Sequence, residues 1–80
     1  MGVSILDINQ HEKYRKLGLN ISYYRKDKGY TQLELSELLD IDRTHMQKIE
    51  TANAGVSLDV LFRLSDLLKV PVCKFFEFRD

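Results

Sequence analysis

The sequence predicts an all-α domain of four or five helices preceded by a short N-terminal arm. Apolar residues recur at steps of three and four along most of the chain, which is the spacing of one face of a helix. Side chains that stabilise helix ends stand in front of several of these stretches. A single proline and the lack of a glycine- or serine-rich linker favour one domain. We therefore divide the chain into an arm, residues 1–9, and one domain, residues 10–80.

The first predicted helix covers about residues 10–28. Its inward face is formed by aromatic and aliphatic side chains, namely Tyr14, Leu17, Ile21 and Tyr24. Gly29 follows, and glycine readily adopts the left-handed backbone that ends a helix. A second helix, residues 31–39, is expected to begin with a capping box formed by Thr31 and Glu34.

A three-residue turn, residues 40–42, leads to a third helix. Asp40 tolerates a left-handed backbone, and Asp42 is expected to cap the third helix, residues 43–51, which turns Met46 and Ile49 inward. Two short helices joined by such a turn form the geometry that inserts a helix into the major groove of DNA.

The fourth helix is expected to begin at Ser57, which can cap it. Most of its apolar residues are predicted to lie in the core: Leu58, Leu61, Phe62, Leu64, Leu67 and Leu68. Pro71 suits the first turn of a short fifth helix, residues 72–78. Three aromatics on that helix, Phe75, Phe76 and Phe78, exceed what so small a core can enclose, and we expect them to form a dimer interface.

The composition is that of an ordinary globular domain, with 44% hydrophobic and 30% charged residues. No apolar run approaches the roughly 20 residues that cross a bilayer, and residues 1–10 do not read as an export signal, so we expect a cytoplasmic protein without a membrane partner. The net charge is zero, but residues 1–30 carry +3 and residues 31–55 carry −3. Any contact with DNA therefore depends on a few placed cations.

Catalysis and metal binding are not expected. The chain has no nucleophile paired with a base, no carboxylate pair and no glycine-rich phosphate loop. Its two histidines, His11 and His45, do not stand at the spacing of zinc ligands. The single cysteine, Cys73, lies among apolar residues and is predicted to be buried. We expect no cofactor.

One further set of residues extends along most of the chain: Leu17-Gly18, Ile21, Arg25, Gly29-Tyr30-Thr31-Gln32, Leu35, Leu39, Ile41, Ile49-Glu50, Ser57-Leu58, Leu61 and Leu68-Lys69-Val70-Pro71. In this pattern the chain resembles the lambda-repressor and Cro-like (XRE-type) helix-turn-helix regulators, without gaps over about residues 17–76. The resemblance implies a lambda-repressor-like DNA-binding domain.

The resemblance also implies roles for individual residues. It pairs Arg25 with Glu50, and it places Gln32 beside a DNA phosphate at the start of the second helix. Four residues match positions that commonly face base edges: Arg43, Thr44, Gln47 and Lys48. We expect His45 to touch a phosphate as well.

The chain departs from the family pattern at Ser36, which replaces the usual alanine, and in three further places. Asp40 replaces the usual turn glycine, and the loop 51–56 lacks the basic residues that relatives often carry, so Thr51, Asn53 and backbone amides must supply its phosphate contacts. We therefore expect modest affinity and a shallow dependence on salt. Two leucines, Leu33 and Leu38, stand at positions that are usually polar. The arm or another subunit is expected to cover them, and we favour the arm.

Together these observations predict a sequence-specific regulator, acting as a repressor, that binds an inverted-repeat operator on double-stranded DNA as a homodimer. The alternatives are a protein-interaction module that keeps the fold but reads no DNA, or the antitoxin of a toxin–antitoxin pair. The sequence does not distinguish a phage or mobile-element regulator from a restriction-modification controller or an antitoxin.

Overall fold

The computed structural model describes residues 10–78, which form four α-helices and a short 3-10 helix. The helices are α1 (His11–Asp27), α2 (Gln32–Leu39), α3 (Arg43–Glu50), α4 (Leu58–Leu68) and the 3-10 helix (Val72–Phe76). No strand occurs in these residues, so the predicted all-α class is confirmed. None of the described helices is both long and apolar enough to span a membrane. The predicted arm, residues 1–9, lies outside the described residues.

Side-chain caps begin two of the helices as predicted. The Thr31 hydroxyl accepts from the Glu34 amide at 3.0 Å while the Glu34 carboxylate accepts from the Thr31 amide at 2.8 Å, which completes the capping box of α2. At α4 the Ser57 hydroxyl accepts from the Val60 amide at 3.1 Å. The prediction for Asp42 was wrong in part, because Asp42 occupies the cap position of α3 but its side chain accepts no capping hydrogen bond.

Left-handed residues end α2 and α4 and also lie just beyond α1. Gly29 has φ +81° after α1, which the sequence predicted from the freedom of glycine. Asp40 has φ 58° and ψ 44° after α2, as expected for a residue that replaces the turn glycine. Lys69 adopts φ 55° after α4, although lysine seldom does so and the sequence did not indicate it.

The core lies where α1, α2, α3, α4 and the 3-10 helix meet. Its buried members are Leu17, Ile21, Leu35, Leu39, Met46, Ile49, Leu61, Leu64, Leu68, Val70 and Phe75. Two residues predicted to lie in this core are exposed instead, since Leu58 and Phe62 stand on the outer side of α4 at 67% and 53% exposure. Cys73 is likewise exposed, so the prediction that it is buried was wrong. Phe75 is the one residue of the 3-10 helix (Val72–Phe76) whose side chain is fully buried.

Gly18 lets α1 and α3 approach at backbone distance. A Cβ atom at this position would lie 2.6 Å from the carbonyl oxygen of Glu50 and 2.7 Å from that of Ile49. Both neighbours are backbone atoms, so they cannot move aside as a flexible side chain would. A glycine inside a helical pattern costs about 1 kcal/mol relative to alanine and usually marks a packing constraint. Here it allows the end of α3 to lie against α1.

We expect Gly18→Ala to lower the thermal midpoint of unfolding. Overpacking costs about 1–3 kcal/mol and the clash is with backbone, which outweighs the roughly 1 kcal/mol that alanine contributes inside a helix. Circular dichroism of the melting transition measures the change. Leu19→Ala is the control on the same helix, because Leu19 is 53% exposed. A Gly18→Ala variant that melts at or above the wild-type temperature contradicts the close approach of the two helices.

Candidate nucleic-acid interface

The turn between α2 and α3 is held by backbone hydrogen bonds at the end of α2. The Asp40 amide donates to the Glu37 carbonyl at 3.2 Å, and the Ile41 amide donates to the Ser36 carbonyl at 3.0 Å. Ser36 is buried, and its hydroxyl donates to the Leu33 carbonyl at 2.7 Å, so the small polar side chain is satisfied where the helices cross. The turn therefore sets α3 against α2 in one orientation.

The α3 helix has one buried face and one exposed polar face. Met46 and Ile49 are buried, as the sequence predicted. The four residues predicted to contact bases are exposed and share the opposite side of the helix: Arg43, Thr44, Gln47 and Lys48. His45 lies between the two faces and is half-buried. The structure therefore brings two cations, an amide and a hydroxyl together on one surface of a single helix.

A buried ion pair joins α3 to α1. The guanidinium of Arg25 donates to both carboxylate oxygens of Glu50, from Nε at 2.6 Å and from Nη2 at 3.0 Å, and its Nη1 donates to the Tyr30 carbonyl at 2.8 Å. The two side chains are only 8% and 4% exposed. A bidentate pair in this environment fixes both position and angle. It anchors the last residue of α3, and hence its exposed face, to the scaffold.

Gln32 completes this network, which the sequence did not predict. Its side-chain Nε2 donates to Oε1 of Glu50 at 3.0 Å, so the amide that was expected to lie beside a phosphate has one of its two hydrogens engaged. The signal available in the sequence was only the family position of Gln32, which says nothing about its partner. The distance in sequence from residue 32 to residue 50 explains why no local pattern could find the contact.

The backbone amides of the loop after α3 form hydrogen bonds within the protein. The amides of residues 51–54 donate to carbonyls of α3, two of them to Lys48, and Asn53 donates from its side chain to the Thr51 hydroxyl at 2.9 Å. Thr51 in turn donates to the Gln47 carbonyl at 2.8 Å. The expectation that backbone amides of this stretch reach phosphates was wrong for these four residues, because an amide carries one hydrogen. The side chains of Thr51 and Asn53 remain exposed.

The predicted dimer surface requires one correction. Phe75 has no exposed area and packs edge-to-face on Tyr24, with ring centroids 5.8 Å apart, so it cannot contact a partner. Phe76 is 48% exposed and Phe78 is half-buried. These two residues border a mainly apolar groove of about 320 Å³ between α1 and α4, lined also by Gln10, Lys13, Tyr14, Leu17, Val56, Leu58 and Leu61. Within residues 10–78, no cluster of side chains suited to a metal ion was found.

A domain of this kind, with a polar helix held outward by a short turn and a preceding helix, is a helix-turn-helix domain. The family model described as Helix-turn-helix matches residues 21–75, and the chain belongs to this family. The resemblance stated from the sequence is thereby confirmed.

Two kinds of relatives agree with this assignment. A protein of Pyrococcus furiosus assigned by name to the HTH-type transcriptional regulatory proteins is 33% identical over 57 residues, which are 71% of this chain and 18% of that protein. The chain thus spans less than a fifth of the length of this curated relative.

Among solved structures, the restriction-modification controller protein C.AhdI from Aeromonas hydrophila superposes with a TM-score of 0.76 at 26% identity, over 81% of this chain and 98% of that one. The hypothetical transcription factor NHTF from Neisseria superposes with a TM-score of 0.75 at 23% identity, over 85% and 79% of the two chains, and shows the same fold.

We expect Arg25→Met to destabilise the domain by about 3–5 kcal/mol, because it leaves the carboxylate of Glu50 buried without a charge partner. Urea unfolding followed by circular dichroism measures the loss. The double variant Arg25→Met/Glu50→Leu should recover much of it, since no buried charge then remains. Lys26→Met, at the exposed neighbouring position, is the control. If Arg25→Met and Lys26→Met unfold at the same urea concentration, the pair does not hold α3.

Proposed function

We propose that the protein is a sequence-specific regulator that binds double-stranded DNA by inserting α3 into the major groove. The observation that carries the proposal is the exposed polar face of α3, which the buried pair of Arg25 and Glu50 anchors to the scaffold. Membership in the helix-turn-helix family and the likeness to transcriptional regulators support it. Bound at an operator, the protein represses transcription by occupying the promoter.

The base-reading chemistry follows from the four exposed side chains of α3. Arg43 and Lys48 donate to O6 and N7 of guanine, Gln47 pairs with N6 and N7 of adenine, and the Thr44 methyl packs against thymine. Arg43 and Thr44 lie in the first turn of α3, and the N-terminal residues of a recognition helix contact base edges. We assign sequence readout to these four residues.

The side chains that we assign to phosphate contacts carry less positive charge than the base-reading face of α3. Gln32 at the start of α2, His45 on α3 and the Asn53 side chain after α3 donate to the DNA backbone on either side of the reading helix. The Thr51 hydroxyl has one hydrogen and donates it to the Gln47 carbonyl, so Thr51 accepts from the Asn53 amide and positions it but does not donate to a phosphate. None of them is a lysine or an arginine, and residues 31–55 carry net −3. Because the salt dependence of binding counts neutralised phosphates, we propose a shallow slope of affinity against salt concentration.

Selection of bound duplexes from a random DNA pool tests the reading helix. The wild type is expected to enrich a short inverted repeat, and Arg43→Ala/Lys48→Ala should enrich none, because each bidentate base contact contributes about 1–3 kcal/mol of discrimination. Arg15→Ala/Lys26→Ala removes the same charge from exposed sites on α1, outside α2, α3 and the apolar groove, and should enrich the wild-type motif.

If Arg43→Ala/Lys48→Ala enriches the same motif as the wild type, the assignment of base recognition to α3 is contradicted. Failure of all three proteins to enrich any duplex favours the alternative function, a protein-interaction module that keeps this fold without reading DNA.

Binding to an inverted repeat requires two copies of the domain on half-sites about one helical turn apart. We assign the dimer contact to Phe76 and Phe78 with the groove between α1 and α4, which is lined mainly by apolar residues. An exposed patch of this kind, continuous with Leu58 at 67% exposure, is typical of a protein contact.

We expect Phe76→Ser to weaken the dimer at least tenfold, since an aromatic at an interface centre contributes about 2 kcal/mol or more. Sedimentation equilibrium at several protein concentrations measures the dissociation constant. Leu19→Ser is the matched control, because Leu19 is 53% exposed against 48% for Phe76 but lies outside the groove. A wild type that remains monomeric at tens of micromolar, or equal dissociation constants for both variants, contradicts this interface.

A further inference from the structure

We infer that Glu50 is a positioning residue for the DNA contact made by Gln32. This inference rests on the proposed function and assigns to the buried carboxylate a second role beside its pairing with Arg25. Glu50 holds the carboxamide of Gln32 in one orientation before DNA arrives, so that the phosphate contact at the start of α2 and the reading face of α3 are set by the same group.

The chemistry of the contact determines which end of the carboxamide faces inward. A carboxylate only accepts hydrogen bonds, so the atom of Gln32 that lies 3.0 Å from Oε1 of Glu50 must be Nε2 and not the amide oxygen. The nitrogen carries two hydrogens, and the bond to Glu50 uses one. The second hydrogen remains for a phosphate oxygen, while rotation of the amide about its terminal bond would break the bond to Glu50.

The charge balance makes this arrangement compatible with a phosphate nearby. Glu50 by itself would repel an anion bound to Gln32. The Arg25 guanidinium donates to both carboxylate oxygens of Glu50, at 2.6 and 3.0 Å, and its positive charge compensates the negative charge of Glu50. The Arg25 guanidinium also donates to the carbonyl of Tyr30, two residues before Gln32. The segment that begins α2 is therefore tied to the same network from its backbone and from its first side chain.

Fixing Gln32 in advance raises affinity without adding a contact. A free glutamine side chain loses rotamer freedom when it binds a phosphate, whereas one already held by Glu50 has lost most of that freedom on folding. Gln47 lies exposed on α3 and offers the comparison within the same molecule.

Two measurements test the inference, the first on the free protein. NMR relaxation of side-chain amides should give Gln32 a clearly higher order parameter than Gln47, with one Gln32 hydrogen protected from exchange with water. Equal order parameters for the two glutamines overturn the inference, whatever the protein does with DNA.

The second measurement is a double-mutant cycle of affinity for a mixed-sequence 30-base-pair duplex at low salt, using Gln32→Met and Glu50→Gln. Gln32→Met should weaken binding about tenfold in the wild type but less than threefold in the Glu50→Gln background, because the amide is no longer held there. The charge left on Arg25 affects both Glu50→Gln proteins equally and cancels from the ratio. Circular dichroism verifies that each variant is folded.

Equal losses in the two backgrounds overturn the role of Glu50 and leave the proposed function intact. Absence of any binding by the wild type overturns the proposed function itself. If Glu50→Gln is unfolded, the free-protein comparison of Gln32 with Gln47 decides the inference.

Discussion

The buried ion pair between Arg25 and Glu50 connects the first helix of the domain to the last residue of the helix that we assign to the major groove. Removing two charges from water is costly, and such a pair stabilises a fold only when its remaining hydrogen-bonding groups are satisfied. Here they are, because Tyr30 and Gln32 provide the additional partners, and no buried side-chain nitrogen or oxygen within residues 10–78 lacks one. Because the hydrogen bonds between Arg25 and Glu50 form in only one geometry, they fix the direction in which the exposed face of α3 points.

Small residues near this pair allow the helices that carry it to pack closely. Gly18 on α1 admits the carbonyls of Ile49 and Glu50 at a distance that no other residue allows. Ser36 on α2 is small enough to be enclosed where α2 crosses its neighbours. Because α3 has only eight residues, it lacks the length to be a stable helix alone, and tertiary contacts must supply its stability. Its orientation is thus a property of the surrounding helices.

A reading helix held in this way suits a surface with few charges. The segment around α3 carries more acids than bases, and the amides of residues 51–54 are engaged within the protein. Long-range attraction to phosphates is therefore weak, and the DNA binding that we propose depends on short contacts made at the correct distance. Preorganisation matters most under these conditions, because each contact must form without a further loss of conformational freedom.

Local patterns in the sequence determined the helices, the side-chain caps of α2 and α4 and the residues of α3 that point outward, since periodicity and capping depend on neighbours within four positions. The family resemblance added the pairing of Arg25 with Glu50. Prediction failed where one local pattern permits two packings: Leu58, Phe62 and Cys73 sit in apolar stretches yet face solvent, while Phe75 faces the core.

Only the tertiary structure decided the contact of Gln32 with Glu50, the close approach at Gly18 and the engaged amides of the loop. Gln32 and Glu50 are 18 positions apart in the sequence, and Gly18 and Glu50 are 32 positions apart. Only the packing of whole helices brings these residues together. The last depends on the left-handed backbone of Ala52, with φ 63°, which alanine seldom adopts unless the surrounding fold imposes it.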